Sequence, residues 1–318
     1  MCTISVIIPS YNRAALVKET LDSILAQIVD TDIEIVIGDD CSTDNTREVL
    51  LSYHEQYPDI IRLFFRERNM GLGANWAQCV KDCRGEFICN CDNDDYWHNS
   101  QKLQIQLDYM RSHPHCNICM TDYRTYNRTT GVIRECKARI NCDVSTQQAM
   151  WEGGGSGVCN ATIMYKTAFL KQHLDLDEFI CRRLSLQDWP VWVILTAYSD
   201  IDIIPVSTAT VGVETDSITR PGSVKMMAER LQRDKEVYRY VCELFPDRFR
   251  YDDVEWERYA AGRLVSKALA VNDYESACLY GRLNPIGVSF FKRLCSRDRI
   301  FFTLWRILQQ VKNRVGTS

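Results

Sequence analysis

Two short β-branched runs, Ile4 to Pro9 and Ile33 to Gly38, are separated by a stretch long enough for one helix. Nothing else in the chain restricts the fold as strongly. Apolar runs without strict alternation suit strands buried on both faces of a parallel sheet. Between them, Ala14 to Ile28 places Leu16, Val17, Leu21, Ile24, Leu25 and Ile28 near one face of a helix. A strand, a helix and a strand in that order call for a right-handed crossover and a largely parallel sheet.

The strands end in polar or acidic residues. The first stops in Ser10-Tyr11-Asn12 and the second in Asp39-Asp40. A third run, Phe87 to Cys91, leads into Asp92-Asn93-Asp94-Asp95. In open parallel sheets ligands bind outside the carboxyl ends of the strands, so three such ends facing one crevice say more than any of them alone. The third delivers three carboxylates within four positions, a crowding that repels unless a cation or a donor-rich ligand sits among them. Hard cations such as Mg²⁺ and Mn²⁺ take oxygen ligands and share them with substrate phosphates, so few carboxylates suffice. If the strand continues, Asp92 and Asp94 point one way and Asp95 the other. A solvated acidic turn is the plain alternative, and polar loops would have to recur at all three ends. Ile61 to Phe65 reads as a further strand. Asn69-Met70-Gly71-Leu72-Gly73 reads as a glycine turn opening a helix from about Asn75 to Cys83; it suits a phosphate or simply a tight bend.

A length of 318 residues fits one large domain with an appendage, and shares of 46% hydrophobic and 25% charged residues exclude disorder. The fifteen cysteines are odd in number and scattered from Cys2 to Cys295. With no export signal visible after Met1, they are expected to be reduced, buried side chains. The pairs Cys116/Cys119 and Cys79/Cys83 do not add up to a zinc ribbon. No apolar run approaches the roughly 20 residues that span a bilayer. Residues 281–318 hold eight Lys or Arg against one Asp, a local +7 that leaves −11 of the net −4 for the rest. An acidic body argues against nucleic acid, and a basic tail argues for an anionic partner there.

Taken in order, Ser5-Val6-Ile7-Ile8-Pro9-Ser10-Tyr11-Asn12, Asp39-Asp40-Cys41-Ser42-Thr43-Asp44, Asn69-x-Gly71 and Gly85-Glu86-Phe87 leading to Asp92-Asn93-Asp94-Asp95 resemble the inverting glycosyltransferases of family 2. The resemblance covers about the first 100 residues. It implies the GT-A fold, an αβα sandwich with a mostly parallel central sheet. By position, Pro9, Ser10, Tyr11 and Asp40 would contact the base and sugar of a uridine-type nucleotide. Asp92, with Asn93 beside it, would approach the ribose, and Asp94 with Asp95 would hold Mn²⁺ or Mg²⁺. Cys41 departs from the family's usual Gly, and Ala74 from an Arg common before Asn75, which leaves open the cation facing the pyrophosphate.

The middle of the chain continues the pattern. A helix over 102–110, a strand over 116–120 and a polar stretch over 121–143, which would suit a mobile cover, precede Met150-Trp151, the cluster Gly153-Gly154-Gly155-Ser156-Gly157 and a strand over 159–165. Gln187-Asp188-Trp189-Pro190 opens an apolar helix, and an N-cap is a sufficient structural reason for that Asp. The resemblance changes the weighting. There the family places an acidic pair about ninety positions beyond the metal run, with the Asp as catalytic base. Here Gln187 replaces the usual Glu and Asp188 keeps the Asp. Gln187, Trp189 and Ser156 would stand on the acceptor side. The strand over 201–206, extended by 207–213, closes the set.

The expected division is a catalytic domain over 1–220 and a helical extension over 221–318. The extension ends in Phe290-Phe291-Lys292-Arg293 and Ile300 to Leu308, aromatic and basic together, which suits either a helix on an anionic membrane surface or one docked on the body. The expected activity is transfer of a sugar from a nucleoside-diphosphate donor, UDP foremost, to a hydroxyl of a polysaccharide or lipid-linked oligosaccharide, at the cytoplasmic face of the membrane or in the cytoplasm. Two other classes share the layout. A sugar-1-phosphate nucleotidyltransferase needs a glycine-rich basic loop after the first strand, where this chain has Pro9-Ser10-Tyr11-Asn12-Arg13. A non-catalytic nucleotide-sugar-binding subunit would bind donor without releasing nucleotide.

Overall fold

The first β-branched run forms β1 (Ile4–Ser10), buried at all seven positions. The structure, a computed structural model, describes residues 2–153, 157–213, 222–283, 285–303 and 305–306. After α1 (Val17–Leu25), β2 (Ile33–Asp39) pairs parallel with β1 from Ile4 opposite Ile33 to Ser10 opposite Asp39. Next come α2 (Thr46–Gln56), β3 (Ile61–Phe65), α3 (Leu72–Asp82) and β4 (Phe87–Asn90). The order β3-β2-β1-β4 is parallel throughout, so these four carboxyl ends open on one edge.

The first compact unit, Met1–Val213, is completed by β5 (Tyr96–Trp97), α4 (Lys102–Ser112), β6 (Ile118–Asn127), β7 (Ile133–Cys136), α5 (Thr146–Gly153), β8 (Met164–Lys166), α6 (Thr167–His173), α7 (Leu176–Cys181), α8 (Trp189–Leu195) and β9 (Asp202–Val213). The sheet runs on as β4-β8-β6-β9-β5, with β7 on the side of β6. Its longer ladders, β1 with β2 and β6 with β9, are parallel, and the short ones involving β5, β7 and β8 are antiparallel. Helices α1 and α4 share one core with the sheet: Val17, Leu21, Ile24, Leu103 and Leu107 pack with Ile4, Val6, Ile8, Ile35 and Ile37. Each such aliphatic side chain contributes about 1.5–3 kcal/mol on burial, which makes this layer the main anchor of the strand ends.

Several boundaries differ from the sequence reading, each for a local reason. α3 begins at Leu72 rather than near Asn75, because Gly71 at φ +90° makes the bend by itself. The strand expected over 159–165 is a 3₁₀ turn, Asn160–Thr162, followed by the short β8. The polar stretch 121–143 is largely the hairpin of β6 and β7, in which Arg124 lies opposite Glu135 and Arg134 opposite Thr125. β4 stops at Asn90, so the acidic residues leave the sheet on a turn instead of continuing the pleat.

The described residues of the second unit, Glu214–Ser318, form the helices α9 (Val224–Leu244), α10 (Asp253–Ala270), α11 (Tyr274–Gly281) and α12 (Phe290–Cys295). Ser223, Asp252, Asp273 and Ser289 cap these helices through side-chain oxygens. Val224, Leu231, Trp256, Val265, Ala268 and Phe302 form a core of their own. The expected boundary at residue 220, and Leu304 with residues 307–318 of the basic end, lie outside the described residues. No described helix is long and apolar enough to cross a membrane.

Candidate active site

The three strand ends meet. Asn93 Nδ2 donates to Ser10 Oγ over 3.0 Å, and the Asp40 N–H donates to the Ser10 carbonyl over 2.8 Å. Pro9 sits one position from the end of β1, opposite Gly38, where the loss of one ladder donor costs least. Tyr11, just past it, is 44% exposed.

The two aspartates after β2 divide their work. Asp40 is buried, and its oxygens accept the N–H groups of Met70 (2.7 Å) and Gly71 (2.8 Å). Oδ2 of Asp39 accepts from Arg47 Nε (2.7 Å) and the Ser42 N–H (3.2 Å). Its Oδ1 is buried and has no hydrogen-bond partner among the described residues. A buried carboxylate oxygen in that state costs free energy until a donor arrives. Sequence reasoning placed the nucleotide contact on Asp40, whereas the acceptor still unmatched belongs to Asp39.

The acidic run forms a tight turn, closed by the Asp95 N–H on the Asp92 carbonyl at 2.9 Å. Half-buried Asp92 accepts from Asn160 Nδ2 on Oδ2 and from Gln187 Nε2 on Oδ1, both at 3.2 Å. Burial pushes its carboxyl up to about 7; the charges of Asp94 and Asp188 push the same way, and the two amide donors oppose them. Asp95 is buried, and its Oδ1 accepts the Gly212 N–H at 3.0 Å. Burial, then Asp94 and Asp92, raise it well above the usual carboxylate range, against Gly212 and Arg128. Asp94 is half-buried, with Arg13 Nε 3.8 Å from Oδ2 and Arg128 Nη2 donating to its carbonyl at 2.8 Å. Gln187, the residue before Asp188, thus joins the segment leading into α8 to the acidic turn.

Asp188 arrives there through close packing of backbone. A Cβ on Gly73 would lie 2.2 Å from the Leu184 carbonyl oxygen, so only glycine lets the segment before α8 rest on the first turn of α3. Arg183 Nη2 adds a hydrogen bond to the Asn69 carbonyl at 2.6 Å. That loop is the one Asp40 holds, so the end of β2 and the segment leading to Asp188 share an anchor. Asp188 caps α8, accepting the Trp189 N–H at 2.7 Å, with Pro190 in the first turn. Trp189 is only 5% exposed and donates its indole N–H to the Met150 carbonyl, so its ring belongs to the core rather than to a sugar platform. Ser156 lies outside the described residues.

Sequence reasoning missed Asn160, Arg13 and Arg128. Asn160 fell inside an expected strand, and nothing marks a single arginine as turned toward a carboxylate. The donor set at the turn is all oxygen, which suits a hard divalent cation. Among the described residues no group of three or more His, Cys, Asp or Glu side chains forms a cage for an ion. Asp94 with substrate phosphates is nevertheless a fitting pair of ligand sources, because such ions keep few protein ligands.

A mostly parallel α/β sheet with an acidic turn at its carboxyl edge has the architecture of the GT-A class. The model of glycosyl transferase family 2 matches residues 5–174, and the chain belongs to that family. The putative teichuronic acid biosynthesis glycosyltransferase TuaG of Bacillus subtilis (strain 168) is 34% identical over 120 residues, 38% of this chain and 46% of that protein. The chain spans 35% of the length of several other curated relatives. Among solved structures, S. aureus TarS 1-349 in complex with UDP superposes with a TM-score of 0.52 at 20% identity, covering 97% of this chain and 91% of that one. The mannosyltransferase PcManGT from Pyrobaculum calidifontis, in complex with GDP-Man and Mn²⁺, gives 0.52 at 16% identity, covering 96% and 86%.

Proposed function

We propose that the protein is a metal-dependent, inverting hexosyltransferase that takes a sugar from a nucleoside diphosphate, UDP foremost, and passes it to a hydroxyl of a polysaccharide or lipid-linked oligosaccharide. The observation that carries this reading is that Gln187, next to Asp188 in the chain, donates to Asp92 Oδ1 at 3.2 Å, which brings the segment bearing the candidate base against the acidic turn bearing the candidate metal ligand Asp94. The neighbours solved with UDP and with GDP-Man and Mn²⁺ support the donor class and the use of a divalent cation.

In this reading the base of the nucleotide lies on Tyr11 and gives an N–H to Oδ1 of Asp39, while Pro9, Ser10 and Asn93 line it. Asp40 holds the wall through the 69–71 loop. Asp92 accepts a ribose hydroxyl. Asp94 would hold Mn²⁺ or Mg²⁺, and the cation would offset the negative charge that develops on the departing diphosphate. Asp95 holds the turn to β9, and Arg13 is the cation that stands in for the arginine missing at Ala74. Asp188 takes the proton of the acceptor hydroxyl as that oxygen attacks the anomeric carbon from the face opposite the nucleotide. Residues 1–220 carry this chemistry. The extension over 221–318 serves the acceptor at the cytoplasmic face of the membrane, a role supported by the +7 charge of residues 281–318.

Incubation with UDP-sugars and Mn²⁺, followed by measurement of released UDP, tests the reading. Release by the wild type that disappears in Asp188→Ala, while UDP still binds, is expected. Release unchanged by that substitution would overturn the base assignment, and binding without release would favour a non-catalytic subunit.

A further inference from the structure

Three side-chain amide and indole groups form one directed chain that ends on Asp92. Trp76 Nε1 donates to Asn90 Oδ1 (3.0 Å), Asn90 Nδ2 donates to Asn160 Oδ1 (3.0 Å), and Asn160 Nδ2 donates to Asp92 Oδ2 (3.2 Å). An indole can only donate, so Trp76 fixes which end of Asn90 faces it. That choice fixes Asn160 in turn, and an N–H is delivered to Asp92 without any reversal being open to the amides. Trp76, Asn90 and Asn160 are all buried, so water does not compete for these bonds. From the other side Gln187, buried and adjacent in sequence to Asp188, donates to Oδ1.

We infer that Asn160 and Gln187 are positioning residues that clamp the Asp92 carboxylate between the interior of the sheet and the segment bearing Asp188, with Trp76 setting the direction of the clamp. The inference rests on the proposed role of Asp92 at the donor. Its functional content is a coupling: the orientation of Asp92 and the place of Asp188 are held by the same carboxylate. A glutamate at 187 could not donate in its charged form, so the glutamine provides a link that persists at neutral pH.

The test uses the full chain with UDP, Mn²⁺ and an unacylated UDP-sugar. Asn160→Leu is expected to weaken UDP–Mn²⁺ binding, and Gln187→Leu to lower kcat with little change in KM, each by about 10–100-fold, as for other groups that orient ligand-holding side chains. In an Asp92→Ala background either second substitution should change UDP affinity by no more than about twofold, the scatter of independent sites. Losses that simply add in that background overturn the clamp. A second readout needs no turnover. The side-chain amide protons of Asn160 and Gln187 should exchange slowly in the wild type and lose protection together in Asp92→Ala, and Trp76→Phe should expose Asn160 alone. Fast exchange of both in the wild type overturns the inference, whereas slow exchange in a protein that fails to bind UDP would leave the clamp standing and remove the donor assignment.

Discussion

The Gly212 N–H donates to Asp95 Oδ1 at 3.0 Å, which fastens the end of β9 to the acidic turn more than a hundred residues earlier in the chain. The approach is close enough that a Cβ on Gly212 would lie 2.4 Å from the Asp94 carbonyl oxygen and 2.9 Å from Arg128 Nε. The acidic turn is therefore clamped between β1 and β9, and its shape depends on both.

Gly212→Ala should push the turn away from β9. The expected cost is about 1–3 kcal/mol of stability, in the range of other overpacked sites, together with weaker Mn²⁺–UDP binding. Denaturant unfolding and calorimetric titration read the two effects. Wild-type stability with wild-type affinity would show that the contact is dispensable.

Asp39 and Asp40 should separate by kind of defect. Asp40→Ala leaves the Met70 and Gly71 N–H groups without their acceptor, an expected loss of about 1–3 kcal/mol for each donor that stays buried. Asp39→Asn is expected to weaken UDP binding at least about tenfold, the factor carried by a hydrogen bond worth 1.4 kcal/mol. Unfolding curves and UDP titrations on the two variants decide, and equal effects of both on affinity would contradict the division.

The metal-free protein should lose stability as pH rises from about 4 to about 7. Asp92 has a folded-state value of about 7 against an ordinary 3.8, so in that window the folded chain holds a proton that the unfolded chain has released. Below it both states are protonated, and above it neither is, so the slope is confined to the window. Asp92→Asn should flatten this part of a curve of melting temperature against pH. A wild-type curve that rises across the window would contradict the crowding of carboxylates described here.

Trp189 gives a further separation. Trp189→Ala is expected to cost about 3–5 kcal/mol, as for other large aromatic side chains removed from a core. Trp189→Phe, which keeps most of the packing, should leave the acceptor KM unchanged. A rise in that KM at preserved stability would return the ring to the acceptor site.

What could be read from the residues followed periodicity. The runs at 4–9 and 33–38 are buried β1 and β2, because a parallel central strand tolerates almost no polar side chain. The convergence of Ser10, Asp39 and Asn93 followed from topology alone, since neighbouring parallel strands end on one edge. Which aspartate faces which partner did not. Asp39 and Asp40 are chemically identical and adjacent, and the difference between them is set by Met70 and Gly71, some thirty positions away. Asn160 was hidden for a similar reason: a buried asparagine has no period, and its meaning depends on Asn90 and Asp92. Trp189 was legible as an aromatic at a helix start, but its indole partner, the Met150 carbonyl, lies on another helix.

The central claim is that Asp188 and the acidic turn flank a single reacting carbon. An α-configured UDP-sugar incubated with Mn²⁺ and water as acceptor, followed by proton NMR before mutarotation, tests it directly. The account predicts that the released sugar appears first as the β anomer, and that Asp188→Ala releases none. Initial appearance of the α anomer, or β release at wild-type rate from Asp188→Ala, would contradict it.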